Sequence, residues 1–231
     1  MNTDSLALAA VSESLNSKGY AMVPRVLSAD ECMALIDGYD MEALYRNTIN
    51  MKRYRFGEGE YRYFSYPLPN VVETLRTSFY PTLAKIANTW MKALHMENVY
   101  PETHQQFIGD CHSKNQHRPT PLILKYAAGG FNTLHQDLYG EIFFPFQMII
   151  ALTQEGVDYE GGALVLTEQV PRAQSKASVV KLNQGDAAII TTNFRPVQGS
   201  RGYYRASMKH GVSEVTAGVR YALGIIFHDA A

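Results

Sequence analysis

The period of the apolar positions divides the chain into two parts. In "TDSLALAAVSESLNSKGY" they recur at helical spacing and Gly19 closes the run, which predicts a helix that stops there. "YAMVPRVL" reads as a short strand. "SADECMALIDGYD" opens on Ser28 and carries Glu31 three positions later, a capping-box signature for a second helix. "VVETLRTSFYPTLAKIANTWMKAL" has helical period again, with a break expected near Pro81. Residues 1–118 are therefore expected to be mostly helical support and lid segments.

The texture changes after Pro119. "TPLILKYAAGG", "FFPFQMIIALT", "GGALVLTEQV", "ASVVKLNQGDAAIITT", "MKHGVSEV" and "GVRYALGIIF" are short apolar or alternating runs punctuated by Gly, Asn and Asp. That cadence predicts an antiparallel sandwich or barrel rather than a βαβ fold. The expected class is mainly β with N-terminal helices (α+β). No repeat, low-complexity tract or linker divides the chain. One domain over residues 1–231 is expected, its β core in 119–231 and the helices buttressing one face.

Composition narrows the function classes. Of 231 residues, 46% are hydrophobic, enough for a substantial core. A formal net charge of -1 supplies no global basic field for nucleic acid. Two cysteines, Cys32 and Cys111, cannot build a disulfide framework and fit a reducing setting. "MNTDSLALAA" lacks the basic and long apolar regions of a signal peptide, and "IFFPFQMIIAL" is too short to span a bilayer. A cytoplasmic protein with no membrane partner is expected; the oligomeric state is not readable.

The chemistry centres on "LHQDLYGE". His135 and Asp137 are two residues apart, and in a strand i and i+2 share a face. Alone the pair is weak, since a surface His beside a turn Asp has the same spelling. A later segment adds His210 and, ten residues on, Arg220. With a turn around Thr216–Gly218, a hairpin would let His210 and Arg220 face one interior. An arginine buried beside a metal site is costly unless it meets an anion, and guanidinium grips carboxylates bidentately. Two histidines and one carboxylate match the facial triad of non-haem Fe(II) oxygenases. Catalytic zinc with the same ligands remains chemically open, though a hydrolase has no general need of the arginine.

These residues resemble the 2-oxoglutarate/Fe(II)-dependent dioxygenase superfamily. "LKYAAGGFNTLHQD" is similar to the Tyr-x-x-Gly…His-x-Asp segment of prolyl-hydroxylase-like and AlkB-like members. "YEGGALVLTE" and "LNQGDAAIITT" resemble the strands and turn that follow. "QGSRGYYRASMKHGVS" and "RYALGIIFHDA" further resemble a small bacterial family of such oxygenases linked to oxidation of damaged nucleic acid. The resemblance implies a double-stranded β-helix, or jelly roll. It implies His135, Asp137 and His210 as metal ligands and catalytic residues, and Fe(II), 2-oxoglutarate and O2 as cofactor and cosubstrates. It places the far carboxylate of 2-oxoglutarate on Arg220, with a hydroxyl from Tyr126. Asp137, which related halogenases lack, favours hydroxylation or demethylation.

The substrate is less defined. "MKRYRFGEGEYRYF" and "FRPVQGSRGYYR" interleave basic and aromatic residues, and Arg201, Tyr203 and Arg205 are candidate substrate contacts. Such segments suit phosphates and stacked bases, an anionic small molecule, or a solvated hairpin. A small-molecule or amino-acid-like substrate is the leading reading. An alkylated nucleic acid base and a non-catalytic jelly-roll binding module are the alternatives. AlkB-like members usually carry a second arginine where this chain has Ile226, which counts against repair. His228 is expected on the outer end of the last strand. The ligand-dense "HQQFIGDCHSKNQH", with His104, Cys111, His112 and His117, is expected to be a solvated loop.

Overall fold

The structure, a computed structural model, describes residues 8–231. The beginning of the first predicted helix, residues 3–7, lies outside the described residues. Helix α1 (Leu8–Lys18) ends where Gly19 takes a φ of +78°, open to glycine without a Cβ penalty. The chain then enters β1 (Tyr20–Val23). Helix α2 (Ala29–Asp37) is closed at its start by the expected box, the Ser28 hydroxyl taking the Glu31 N–H and the Glu31 carboxylate taking the Ser28 N–H.

Three expectations for the first half need correction. Residues 45–64 are mainly strand: β2 (Tyr45–Asn50), β3 (Gly57–Glu58) and β4 (Glu60–Phe64) join the β core, with only a one-turn helix α3 (Met51–Tyr54) between the first two. Pro81 does not break its helix, because α4 runs unbroken from Asn70 to Ala93. An interior proline costs about 3 kcal/mol, but Val72, Leu75, Phe79, Leu83, Ala87 and Trp90 are all buried on one stripe of this helix. Burying each such side chain is worth roughly 1.5–3 kcal/mol, so packing wins. The ligand-dense segment is not a solvated loop but α5 (His104–Ser113), started by a Thr103/Gln106 capping box, with His104, Phe107 and Cys111 buried.

The second half follows the predicted cadence: β5 (Leu122–Ala127), β6 (Phe131–His135), β7 (Phe146–Ala151), β8 (Tyr159–Gly161), β9 (Leu164–Gln169), β10 (Lys176–Val180), β11 (Ala187–Thr191), β12 (Phe194–Gly199), β13 (Gly202–Val212) and β14 (Val215–Ile226). One sheet has the order β1-β11-β7-β14-β5-β4-β2, with β8 on β14; the other has β10-β9-β13-β6-β3, with β12 on β13. The main ladders are antiparallel, as in the expected jelly roll. The largest core cluster joins α1, α2, α4 and α5 to the first sheet, through Leu15, Leu35, Phe79, Trp90, Phe107, Ile150 and Leu223. The helices thus brace that sheet from outside and leave the space between the sheets for the site.

Candidate metal and cosubstrate site

Each candidate ligand arrives by a different route. His135 is the last residue of β6 and pairs in register with His210 on β13, bringing their ring centroids to 4.2 Å. Asp137 lies past the strand, so the i, i+2 argument does not place it. The loop after β6 does. Its start is pinned by the Gln136 amide, which donates to the Asn193 and Met208 carbonyls. Its far end is pinned by Gln116, whose Oε1 accepts the Ile142 N–H and whose Nε2 donates to the Ile142 carbonyl. Gly140 is needed there, because a Cβ would stand 2.3 Å from the Gln116 amide carbon. The result puts one Asp137 oxygen 3.2 Å from His210 Nε2 and the other 3.6 Å from His135 Nε2. The three residues' ligand atoms all lie within 4.8 Å of one another.

The donor set suits a metal. His135 Nδ1 lies 2.7 Å from the Thr133 carbonyl, which can only accept, so Nδ1 carries the proton and Nε2 turns its lone pair to the cluster. Burial, and then the neighbouring His210, push the His135 imidazole down, toward its neutral form. Burial alone would raise the Asp137 carboxyl. The hydrogen bond and charge of His210, the charge of His135 and the Tyr139 hydroxyl outweigh it and hold the group well below the usual carboxylate range. Asp137 is therefore an anion, as a ligand must be.

Arg220 stands in the facing sheet, on β14. The turn between β13 and β14 falls at residues 213–214, not at Thr216–Gly218, and the two strands do not pair with each other. His210 and Arg220 share an interior because two sheets face one another, not because of a hairpin. Both line a cavity of about 190 Å³ together with His135, Asp137, Tyr126 and Gln147. Arg220 is 4% exposed, its Nε has no hydrogen-bond partner, and it enters no ion pair among the described residues. Its charge sits instead over the rings of Tyr126 and Tyr159, at 5.6 and 6.0 Å. A buried guanidinium without an anion fits a carboxylate-bearing cosubstrate. Tyr126 pairs in register with Arg220, and burial pushes its hydroxyl up to about 12, so it stays protonated and able to donate.

The three candidate substrate residues stand elsewhere. Along β13 the side chains alternate, and Tyr204, Ala206, Met208 and His210 share one face. Tyr203 and Arg205 point to the other face, Arg205 with its guanidinium 5.0 Å from the Phe194 ring, and Arg201 sits at the hairpin tip. None of the three lines the cavity. His228 is not on an outer strand end either: it is fully buried after β14, and its Nδ1 accepts the Phe144 N–H at 3.2 Å. The walls are completed by Phe56 and Tyr61, from the basic-aromatic segment read as a possible substrate surface, and by Gln147, which the sequence did not single out. Tyr61 comes from β4, Phe56 from the segment before β3, and Gln147 from β7, its amide 3.3 Å from His210 Nε2. Tyr139 donates to Asp137 at 2.6 Å.

No helix among the described residues is long and apolar enough to cross a membrane. In overall fold the chain is similar to a prolyl 4-hydroxylase of Pseudomonas putida (14% identical, TM-score 0.56, covering 97% of this chain and 99% of that one). It is similar too to a 2OG-Fe(II) oxygenase family oxidoreductase of Burkholderia pseudomallei (17%, TM-score 0.54, covering 97% and 93%). A third similar fold is the α-ketoglutarate-dependent epimerase SnoN of nogalamycin biosynthesis (16%, TM-score 0.57, covering 95% and 81%). Uncharacterized proteins of two Mycobacterium tuberculosis strains are 41% identical over 197 residues, 85% of this chain and 79% of theirs. The model of a family described as "Oxygenase, catalysing oxidative methylation of damaged DNA" matches residues 59–230, a span that holds the ligand cluster and Arg220. The chain, an antiparallel jelly roll with a His-Asp-His cluster at its centre, belongs to this oxygenase family.

Proposed function

We propose that this protein is an Fe(II)- and 2-oxoglutarate-dependent dioxygenase that hydroxylates a C–H bond of a small-molecule or amino-acid-like substrate, releasing succinate and CO2. One observation carries the reading: a three-ligand cluster and a buried arginine lacking any anion line the same cavity. His135, Asp137 and His210 would hold the metal. Arg220, with the Tyr126 hydroxyl beside it, would hold the far carboxylate of 2-oxoglutarate. The bound pair supplies O2 activation, oxidising the cosubstrate and leaving one oxygen atom for the substrate. The chain's own task is orientation and the exclusion of water, for which Leu122, Leu124, Met148 and Ile226 form apolar walls.

The test is an anaerobic absorption titration with Fe(II) and then 2-oxoglutarate. A saturable charge-transfer band, lost in His135→Ala, is expected. Bound iron without the band would refute bidentate chelation and revive the hydrolase and binding-module readings.

A second reading, oxidation of an alkylated nucleic acid base, draws on the family's description and on the segment beside the cavity mouth. Tyr54 and Phe56 are 48% and 45% exposed and stack at 5.6 Å with 19° between planes, and the Arg53 guanidinium lies 5.8 Å from the Tyr54 ring. Phe56 also lines the cavity, so a ring stacked there would stand at its entrance. Single-stranded oligonucleotide should then bind at low salt and lose affinity in Arg53→Glu. No binding at low salt would remove this reading and leave the first intact.

A further inference from the structure

Asp137 is held by more than its loop. Its second oxygen accepts the Tyr139 hydroxyl at 2.6 Å, and the Tyr139 oxygen lies 3.1 Å from the Tyr63 hydroxyl. The direction of these bonds follows from chemistry. A carboxylate only accepts, so the single Tyr139 proton is committed to Asp137, and the bond between the tyrosines must use the proton of Tyr63. The relay thus runs Tyr63 to Tyr139 to Asp137, from β4 in the N-terminal half into the ligand loop. Both tyrosines are themselves fixed. Tyr63 is 8% exposed, with the Arg46 guanidinium 4.5 Å from its ring centre, and the Tyr139 carbonyl accepts the Ala231 N–H.

We propose that Tyr139, supported by Tyr63, is a positioning residue that occupies one Asp137 oxygen and leaves the other as the sole carboxylate ligand atom. The inference rests on the metal-centre reading above. The oxygen left over, Oδ2, is the one 3.2 Å from His210 Nε2. A carboxylate on a loop is otherwise free to rotate and to offer both oxygens. A two-oxygen grip would use a coordination position that a cosubstrate chelate and O2 require. Partners that hydrogen-bond to metal ligands typically change metal affinity 10- to 100-fold when removed.

The experiment uses Co(II) alone as the probe, titrated into metal-free full-length protein and followed by its d–d absorption. Tyr139→Phe should bind Co(II) about 10- to 100-fold more weakly and show a changed d–d spectrum. Tyr63→Phe, which keeps the Tyr139–Asp137 bond, should shift both in the same direction by less. Because Tyr63→Phe removes only a peripheral oxygen, it keeps the idea testable if Tyr139→Phe folds poorly. Wild-type affinity and spectrum in both variants, even with a lowered melting temperature, would overturn the proposal and leave a merely structural pair. Equal Co(II) binding by the unmutated protein and His135→Ala would instead sink the metal centre itself.

Discussion

Two arginines of this protein are buried almost equally and live in opposite circumstances. Arg76, on α4, is fully buried and has every nitrogen occupied. Nε donates to the Ile226 carbonyl, Nη1 to the Tyr66 hydroxyl, and Nη2 to the Phe227 carbonyl and to Asp229 at 2.7 Å. Asp229 in turn takes the His112 ring N–H and the Tyr66 hydroxyl. This network clamps α4 and α5 to the chain beyond β14. Arg220 is 4% exposed, with an unpartnered Nε and aromatic rings for neighbours. A buried charge with all its bonds made holds a fold together, whereas one with its bonds unmade is a cost that only a ligand can offset. The first belongs to the scaffold, and the second lines the cavity that holds the His-Asp-His cluster.

The contrast can be broken in four ways. Arg76→Ala should cost most, about 3–5 kcal/mol of unfolding free energy in urea, because it strands the Asp229 carboxylate in the core. A loss under 1 kcal/mol would mean that the network contributes little. Acid is the next largest probe. Burial chiefly pushes the His104 and His228 imidazoles down, to about 4 and about 3, from an ordinary 6.5. The unfolded chain then binds more protons than the folded one between those values, so stability present above pH 6.5 drains away as the pH falls toward 3. The stability lost over that window is about 3 kcal/mol for His104 and about 5 kcal/mol for His228. Removing the imidazole in His228→Gln should flatten the stability–pH curve over this window; an unchanged slope would show that His228 takes up its proton while folded.

Arg220→Ala reverses the pattern of Arg76→Ala. It should leave urea stability within about 1 kcal/mol while weakening 2-oxoglutarate by about 1.5–3 kcal/mol, read from the charge-transfer titration. If stability instead fell as far as in Arg76→Ala, the distinction between the two arginines would collapse. The smallest effect belongs to a third arginine. Arg205→Ala, on the outer face of β13, should stay within about 0.5 kcal/mol in stability and leave 2-oxoglutarate affinity unchanged. A marked loss of 2-oxoglutarate binding there would show that the β12–β13 hairpin reaches the cavity.

Particular residues show what was legible in the chain. Ser28 with Glu31, and Gly19 at a helix end, are local signals, and the structure repeats them. The apolar cadence after Pro119 gave strands in the right places because period-2 alternation needs only near neighbours. His135, Asp137, His210 and Arg220 do converge on one cavity, yet the expected hairpin geometry was wrong. Pro81 inside α4 and the buried His104 and Cys111 escaped the reading, because propensity and polarity there yield to packing against distant aromatics. Arg201, Tyr203 and Arg205 looked like a site because composition carries no information about which face a strand turns inward.

The sequence by itself determined the jelly-roll class, the capped helices and the residues of the His-Asp-His cluster, since each is encoded in short spacings and in residue types whose chemistry is local. Only the tertiary structure decided which buried arginine is satisfied and which is not. It also decided that Asp137 is placed by Gln116, Gln136 and Tyr139 rather than by strand alternation, and that Phe56 and Tyr61 of the N-terminal half wall the cavity. Those outcomes depend on hydrogen bonds and packing between residues far apart in the chain, and whether a buried polar group finds a partner is settled only when the elements meet.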